Sequence, residues 1–242
     1  QERHEIVDYF IQQAKFKEQI QEQLCEIGDL ERIISKVATG RINPKEINSL
    51  KMALTAIQPI KDSCSNSQSK SLKVLADNLN PCDELKARIA KEIKEDPAVA
   101  VAKGEVIAEG VNKELDDLRA ILNSGKEYLE GIKEREAEAT GIPSIKIAFN
   151  NVFGYYIEVT NPNLDKIPDN FIRKQTLTNA ERYFTEELKD YEGRILSAEE
   201  SIIKIEIEIF HQLKDKILKK IKIMELNLFF FFQLIHLMIV LK

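Results

Sequence analysis

Over most of this 242-residue chain, apolar side chains recur every three or four positions among Glu, Lys and Gln; at Ile145 the spacing drops to two. Ile145, Ile147 and Phe149 alternate with Ser144, Lys146 and Ala148, and beyond "NNVFG" the residues Tyr155, Ile157 and Val159 alternate with Tyr156, Glu158 and Thr160. Two strands joined by a tight turn satisfy that alternation. The following "NPNLDKIPDN" is turn chemistry, and "FIRKQTLTN" at 171–179 is another strand-like run. A small antiparallel sheet therefore interrupts a helical chain. Nine glycines and seven prolines leave the remainder few places to turn, which favours long helices and excludes a many-stranded fold.

Upstream of the sheet, Ile6, Phe10, Ile11, Ala14, Ile20 and Leu24 predict one amphipathic helix over 2–24, with Gly28 ending it. Asp29 can cap a short helix through Val37. "INPKEI" supplies Asn43 as N-cap, Pro44 at the first helical position and Glu46 at the third, opening a helix to about Ile60. The serine-rich "KDSCSNSQSKS" at 61–71 reads as a loop, "NPCDEL" as a helix start at Asn80, and "DPAVAVAKGEVIAEG" at 96–110 as a short hairpin or irregular link. Leu115, Leu118, Leu122, Leu129 and Ile132 mark a long, mostly exposed helix, roughly 40 Å at 1.5 Å per residue. Gly125 and Gly131 weaken it; Gly141 and Pro143 stop it. A return helix begins near Thr185. Its "IKIEIEIF" alternates like a strand, but Ile202, Ile205, Ile209, Leu213 and Ile217 keep helical spacing through and beyond it. The expected architecture is mainly α: a helical base, one long helix out, a small antiparallel sheet at its far end, and one long helix back.

Several kinds of chemistry find no support. The net charge of -5 argues against a general affinity for nucleic acid and confines any such site to a small local patch. Cys25, Cys64 and Cys82 are odd in number and form no C-x-x-C pair, so neither a disulfide framework nor a zinc site is indicated, and a reducing interior is the default. The chain starts at Gln1 without an apolar leader, so it reads as a piece of something longer, without a signal peptide. His4, His211 and His236 are isolated and read as surface or packing residues. Gly125-Lys126-Glu127 lacks the earlier glycine and the Ser/Thr of a phosphate-cradling loop. Carboxylates decorate helix faces without announcing a catalytic pair. No catalytic, cofactor-binding or metal-ligating residue is expected.

The sheet region is where binding chemistry gathers. Asn150, Asn151, Arg173, Lys174, Gln175, Thr178, Asn179 and Arg182 are side chains that can donate hydrogen bonds to phosphate oxygens. Residues 171–182 carry three basic groups against Glu181 alone, whereas residues 129–170 are net acidic. On composition alone, a solvated turn and strand face accounts for the same residues.

At "FNNVFGYYIEV", "YIEVTNPNLDKIPDNFIRKQTLTNAERY" and "FTEELKDYEGRILSAEE" the chain resembles the MutS family of bacterial DNA mismatch-recognition proteins, in the region of its lever and clamp domains. "IGDLERIISKVATGRINPKEI" and "GVNKELDDLRAIL" match the same family's lever in order, so the resemblance covers about residues 1–221. It implies lever helices over 1–128, a clamp with the small β-sheet over 129–184, and a lever return helix over 185–222. It also implies that the clamp grips the backbone of duplex DNA, with Asn150, Lys174 and Asn179 on positions near DNA and Arg173 and Gln175 beside them. The family's Phe-x-Glu wedge lies N-terminal to this region, and its P-loop ATPase and dimer contacts lie C-terminal. By the resemblance the chain alone neither reads a mismatch nor hydrolyses ATP, and ATP and Mg belong to the full-length family protein. Homodimerisation through absent domains, a MutL-like repair partner and a cytoplasmic, nucleoid-associated bacterial setting are implied in the same way. Two other readings stay open: a helical stalk that binds protein without touching DNA, and a MutS relative acting in recombination.

After Lys222 the sequence departs from the family pattern, leaving an atypical hydrophobic tail over 223–242. Its apolar stretch Leu228–Leu241 is 14 residues, interrupted by Gln233 and His236. That falls short of the ~20 needed to span a membrane. It reads as a buried helix or an aberrant tail without membrane contact, and truncation after Lys222 is expected to raise solubility.

Overall fold

Helix starts carry the most explicit local chemistry, and the two at Asp29 and Asn43 fold as they read. The Asp29 carboxylate accepts from the Arg32 N–H at the head of a helix over Leu30–Ala38. Asn43 and Glu46 form a reciprocal capping box at the head of Pro44–Ser65, each side chain accepting from the other's backbone N–H. The structure, a computed structural model, describes residues 2–239. Its helices are α1 (Glu2–Gln12), α2 (Ala14–Glu26), α3 (Leu30–Ala38), α4 (Pro44–Ser65), α5 (Lys70–Asn78), α6 (Asp83–Glu92), α7 (Lys113–Thr140), α8 (Glu186–Lys219) and α9 (Ile221–Ile239). Between α7 and α8 lie β1 (Lys146–Asn150), β2 (Gly154–Thr160), β3 (Ile172–Thr176) and β4 (Ala180–Phe184), one antiparallel sheet in the order β1-β2-β4-β3. The fold is mainly α with a small β insertion.

The chain divides into two compact units, Gln1–Val111 with Glu206–Lys242, and Asn112–Ile205. The first is a helical bundle around α4. Ile47, Leu50, Leu54, Ile57 and Ile60 of α4 have no exposed surface, and Ile20, Leu72 and Ile89 from α2, α5 and α6 are equally buried. Within this unit Glu206 of α8 is fully buried, and its carboxylate accepts from the N–H groups of Val106 (3.1 Å) and Ile107 (3.5 Å). That buried acid ties an irregular link to a helix, which answers the desolvation penalty of an isolated carboxylate.

Several local expectations are corrected. The helix expected over 2–24 breaks at Gln13, whose φ of -118° and ψ of 64° are non-helical, and Ile11 is exposed. The α4 helix passes through Pro59 and ends at Ser65 rather than Ile60; residues 61–65 are therefore helical, and α5 was not foreseen. Ser69 caps α5, and Glu5 of α1 adds a carboxylate there, accepting from the Lys70 N–H at 3.0 Å and from the Ser71 hydroxyl at 2.7 Å. Asn80 does not cap α6. Its side chain accepts from the Cys82 N–H at 2.9 Å, and Cys82, in the left-handed region with φ 52°, precedes the helix. The link at 96–110 is irregular, with a 3-10 turn at Val101–Lys103 and one bridge, Ile93 to Ile107. On α8 the buried stripe is Ile202, Glu206, Phe210, Leu213 and Ile217, so a glutamate and a phenylalanine stand where Ile205 and Ile209 were expected.

The tail is a helix of the first unit. One side of α9 buries Met224, Phe231, Leu234, Leu237 and Met238 against a packing that includes α1, α2 and α3. Asn227 on the same side has no exposed surface: its amide accepts from the Asn80 N–H at 3.0 Å and donates to the Asn80 carbonyl at 2.8 Å. A polar group paired on both of its functions is a fitted part of a core, so the expectation that truncation raises solubility does not survive. By length and composition α9 could also cross a membrane, with a mean hydropathy of 1.4. Phe229, Phe232 and Ile239 remain exposed on its other side.

Candidate nucleic-acid interface

The second unit is α7, the sheet and the first part of α8. A 28-residue helix, α7 is capped at its start by Asn112, whose side chain accepts from the Leu115 N–H, and at its end by Gly141 at φ 65°. One face of the sheet packs on the helices through Ile157, Val159 and Tyr183, with Ile132, Ile142, Ile145, Phe171 and Leu188 completing a small core. The strand reading held for β1, β2 and β3. β4 was missed because "AERYF" carries Glu and Arg at positions that face away from that core or lie at its rim.

The opposite face is covered by cations lying on aromatic rings. Arg182 of β4 stands 4.2 Å over the Tyr156 ring, while its guanidinium donates to Glu158 at 3.0 Å and to the Gln175 carbonyl oxygen at 3.0 Å. Lys174, in the bulge between Arg173 and Gln175, lies 5.1 Å over Phe184 and donates to the Phe153 carbonyl. On the core side, Arg173 pairs with Glu181 at 3.3 Å, although 64% of the Arg173 side chain remains accessible. Glu181 also accepts from the Tyr183 hydroxyl. That hydrogen bond, with Arg173 behind it, holds the Glu181 carboxyl below its ordinary range. Burial and the Glu181 carboxylate together push the Tyr183 phenol up to about 12. The three basic groups of 171–182 are thus engaged within the sheet.

The eight candidate residues do not converge. Asn150 and Asn151 sit in the β1–β2 turn, where the Asn150 side-chain oxygen Oδ1 accepts from the Val152 N–H at 2.8 Å and so serves the turn itself. Thr178 and Asn179 sit in the β3–β4 turn. Because β2 and β4 run antiparallel with Thr160 opposite Ala180, that turn lies at the other end of the sheet. The seven residues of β2 separate the two ends, about 20 Å at ~3.3 Å per residue. Arg173, Lys174, Gln175 and Arg182 lie between. Thr178 and Asn179 are exposed, and neither side chain has a hydrogen-bond partner among the described residues. Their carbonyls accept from Asn161, at 3.1 Å each, which locks the turn against the end of β2. Asn163 adjoins them through its amide bond to Thr160 at 3.2 Å. Asn161 and Asn163 belong to "NPN", which reads from sequence only as a turn; nothing there says that Asn161 buttresses residues 17 and 18 positions on.

The β1–β2 turn end is different in character. Val152 is 80% exposed, and Phe149 and Ile172 are about half exposed. Gly154, at φ 72°, opens β2 beneath the Glu192 carboxylate of α8, which accepts from the Tyr155 N–H at 3.1 Å. Among the described residues no group of three or more His, Cys, Asp or Glu side chains is arranged to hold a metal ion. Gly125 lies in mid-helix in α7, not at a helix N-terminus where a phosphate would seat.

Residues 110–201 match MutS family domain IV. The DNA mismatch repair protein MutS of Parabacteroides distasonis is 59% identical over 213 residues, 88% of this chain and 24% of that protein. The protein of the same name from Flavobacterium johnsoniae is 53% identical over 232 residues, 96% of this chain and 27% of the relative. Over this segment the chain belongs to the MutS family. It spans about a quarter of the length of the curated relatives it matches. The MutS domain IV match takes in α7, the whole sheet and α8 as far as Ser201, all of the second unit but residues 202–205, so the family relation falls most directly on the unit that carries the exposed turn.

Proposed function

We propose that this chain is the lever and clamp portion of a MutS-family mismatch repair protein, and that it holds duplex DNA without sequence preference through the β3–β4 turn. One observation carries the reading: Thr178 and Asn179 stand exposed on a turn buttressed by Asn161, with side-chain donors that no described residue uses. Neutral donors on a rigid turn suit phosphate oxygens, which fix position and carry no sequence information. Residues 129–184 serve as clamp in this reading, and residues 1–128 with 185–222 as lever. The lever connects the clamp to an ATPase outside this segment, where ATP and Mg bind. Assembly as a homodimer and work with a MutL-like partner in the bacterial cytoplasm belong to the same proposal.

Arg173, Lys174 and Arg182 contribute little of the affinity in this reading, because each is already paired with a carboxylate, a carbonyl or a ring. Binding therefore depends on salt only weakly, since neutral contacts release no counterions, whereas each phosphate neutralised by a cation adds about -0.9 to the slope of log affinity against log salt. Anisotropy titration of the chain with a short labelled homoduplex at low salt tests this. Changing both Thr178 and Asn179 to Ala should weaken binding by roughly 0.5–1.5 kcal/mol per lost hydrogen bond, equally for matched and mismatched duplexes. Unchanged affinity in that variant would refute the reading. A protein-binding stalk is favoured by one feature, the exposed Phe149, Val152 and Ile172 at the opposite end; loss of a protein partner, with DNA binding intact, on changing Val152 to Asp would support it.

A further inference from the structure

The sheet is joined to the helices of its unit by a run of aromatic rings. Tyr128 of α7 stacks on Tyr191 of α8 at 4.9 Å between centroids, Tyr191 meets Tyr155 of β2 edge-on at 5.8 Å, and Tyr155 packs on Phe149 of β1 at 5.0 Å. Two glycines make room for this. Gly125 faces Tyr191 so closely that a Cβ there would lie 3.4 Å from the ring carbon bearing the hydroxyl and far inside contact distance of the hydroxyl itself. Gly154 faces Glu192, and a Cβ there would overlap its carboxylate. Tyr191 and Glu192 are consecutive on α8, so one residue reaches α7 while the next takes the N–H of Tyr155. Elsewhere along this stretch α7 and α8 stand apart, leaving a groove of about 690 Å³ between Leu118 and Ile121 on one side and Gly193, Ser197 and Ser201 on the other.

We infer that Gly125, Tyr191 and Glu192 form a positioning joint that sets the orientation of the sheet on the α7–α8 pair. Tyr191 is 7% exposed and has rings on two sides, so it cannot swing away from an intruding group at position 125 without carrying Tyr155 and β2 with it. Mid-helix glycine is unfavourable relative to alanine, and the Tyr191 hydroxyl is the physical reason for tolerating it here. The joint also fixes where the β3–β4 turn points, a consequence that rests on the DNA reading above, whereas the joint itself does not.

The test uses the full chain with Cys25→Ser, leaving the buried Cys64 and Cys82 in place. Nitroxide labels go on Asp117→Cys of α7 and Asp169→Cys of the loop before β3, both exposed positions. Gly125→Ala should shift or broaden the label distance distribution and lower the melting temperature. Adding Tyr191→Phe, which deletes the obstructing hydroxyl, should return the distribution to that of Tyr191→Phe alone and make Gly125→Ala stabilising, because alanine is the better helix former. That reversal of sign is something a generic loss of stability would not produce. An unchanged distribution in Gly125→Ala, or a loss of melting temperature that persists beside Tyr191→Phe, overturns the joint. A shifted distribution with unaltered homoduplex affinity supports the joint and counts against DNA contact by the β3–β4 turn.

Discussion

The two units use the same helical material and close it differently. The first closes on aliphatic side chains: Ile20, Ile47, Leu50, Leu54, Ile57 and Ile60 are fully buried, and α9 adds Met224 and Leu234. The second closes on a smaller set, Ile132, Ile142, Ile145, Ile157 and Leu188, supplemented by stacked tyrosines, cations on rings and the Glu192 carboxylate that ties α8 to the Tyr155 N–H. Aliphatic packing is non-directional and tolerates repacking, whereas stacked rings and hydrogen bonds fix orientation. A bundle needs only to be stable; a small sheet that presents one turn must also be aimed.

The largest test of that contrast removes α9. Truncation after Lys222 deletes five buried apolar side chains, each worth roughly 1.5–3 kcal/mol of burial, against a typical domain stability of about 5–15 kcal/mol. The first unit should lose its amide-exchange protection and aggregate, while β2 and β4 keep theirs. Equal loss of protection in both units would mean that the sheet depends on the bundle. A narrower cut is Asn227→Ala, which leaves the Asn80 N–H and carbonyl without their partner at a buried site. A loss of about 1–3 kcal/mol in urea unfolding is expected. A loss below ~0.5 kcal/mol would show that water replaces the amide.

How much of this was legible in the sequence follows the same division. Helical periodicity located α3, α4, α7 and α8, and capping chemistry fixed two of their starts, because a helix writes its buried face and its ends into residues a few positions apart. Local spacing cannot say where a polar residue will find a distant partner. Glu206 looked like a solvated acid inside an apolar run, and only the approach of Val106 and Ile107, about a hundred positions away, makes it a core residue. Gly125 looked like a weak point in α7 and proves to be the space that Tyr191 occupies. For the candidate site, residue types singled out a segment but could not say which of its donors are engaged within the sheet. Arg173, Lys174 and Arg182 stood out by charge, and each is engaged by a residue 8 to 24 positions distant.

In the second unit the titration of Tyr183 offers a smaller and more local probe. Its phenol lies at about 12 against an ordinary 10, so the folded state favours the protonated form. The associated stability is complete below pH 10 and is lost as pH rises through about 12. Absorbance titration should show a late-ionising tyrosine among the six, and Tyr183→Phe should remove that late component. If the late component survives Tyr183→Phe, then Tyr128, Tyr155 or Tyr191, which are also raised, carries it.

The smallest expected effect is the one that separates aiming from gripping. Glu181→Gln removes the negative partner of Arg173 while keeping a side chain that can still accept from the Tyr183 hydroxyl. Because Arg173 is 64% accessible, the pair is screened by solvent and contributes little to stability, and the melting temperature should barely move. Arg173 would then be free to meet a phosphate. If the internal pairing of cations is what keeps DNA binding insensitive to salt, the slope of log affinity against log salt should steepen by up to ~0.9, one counterion's worth, with affinity at low salt rising modestly. Removing the released cation should undo the change: the double variant Glu181→Gln with Arg173→Gln should fall back to the original slope. An unaltered slope in the single variant would mean that Arg173 lies too far from DNA to reach it even when released, and would confine the contact to the β3–β4 turn. A slope already near -2 to -3 in the unaltered chain would contradict the neutral grip outright, because two or three cations would then be leaving their partners on the sheet to neutralise phosphates.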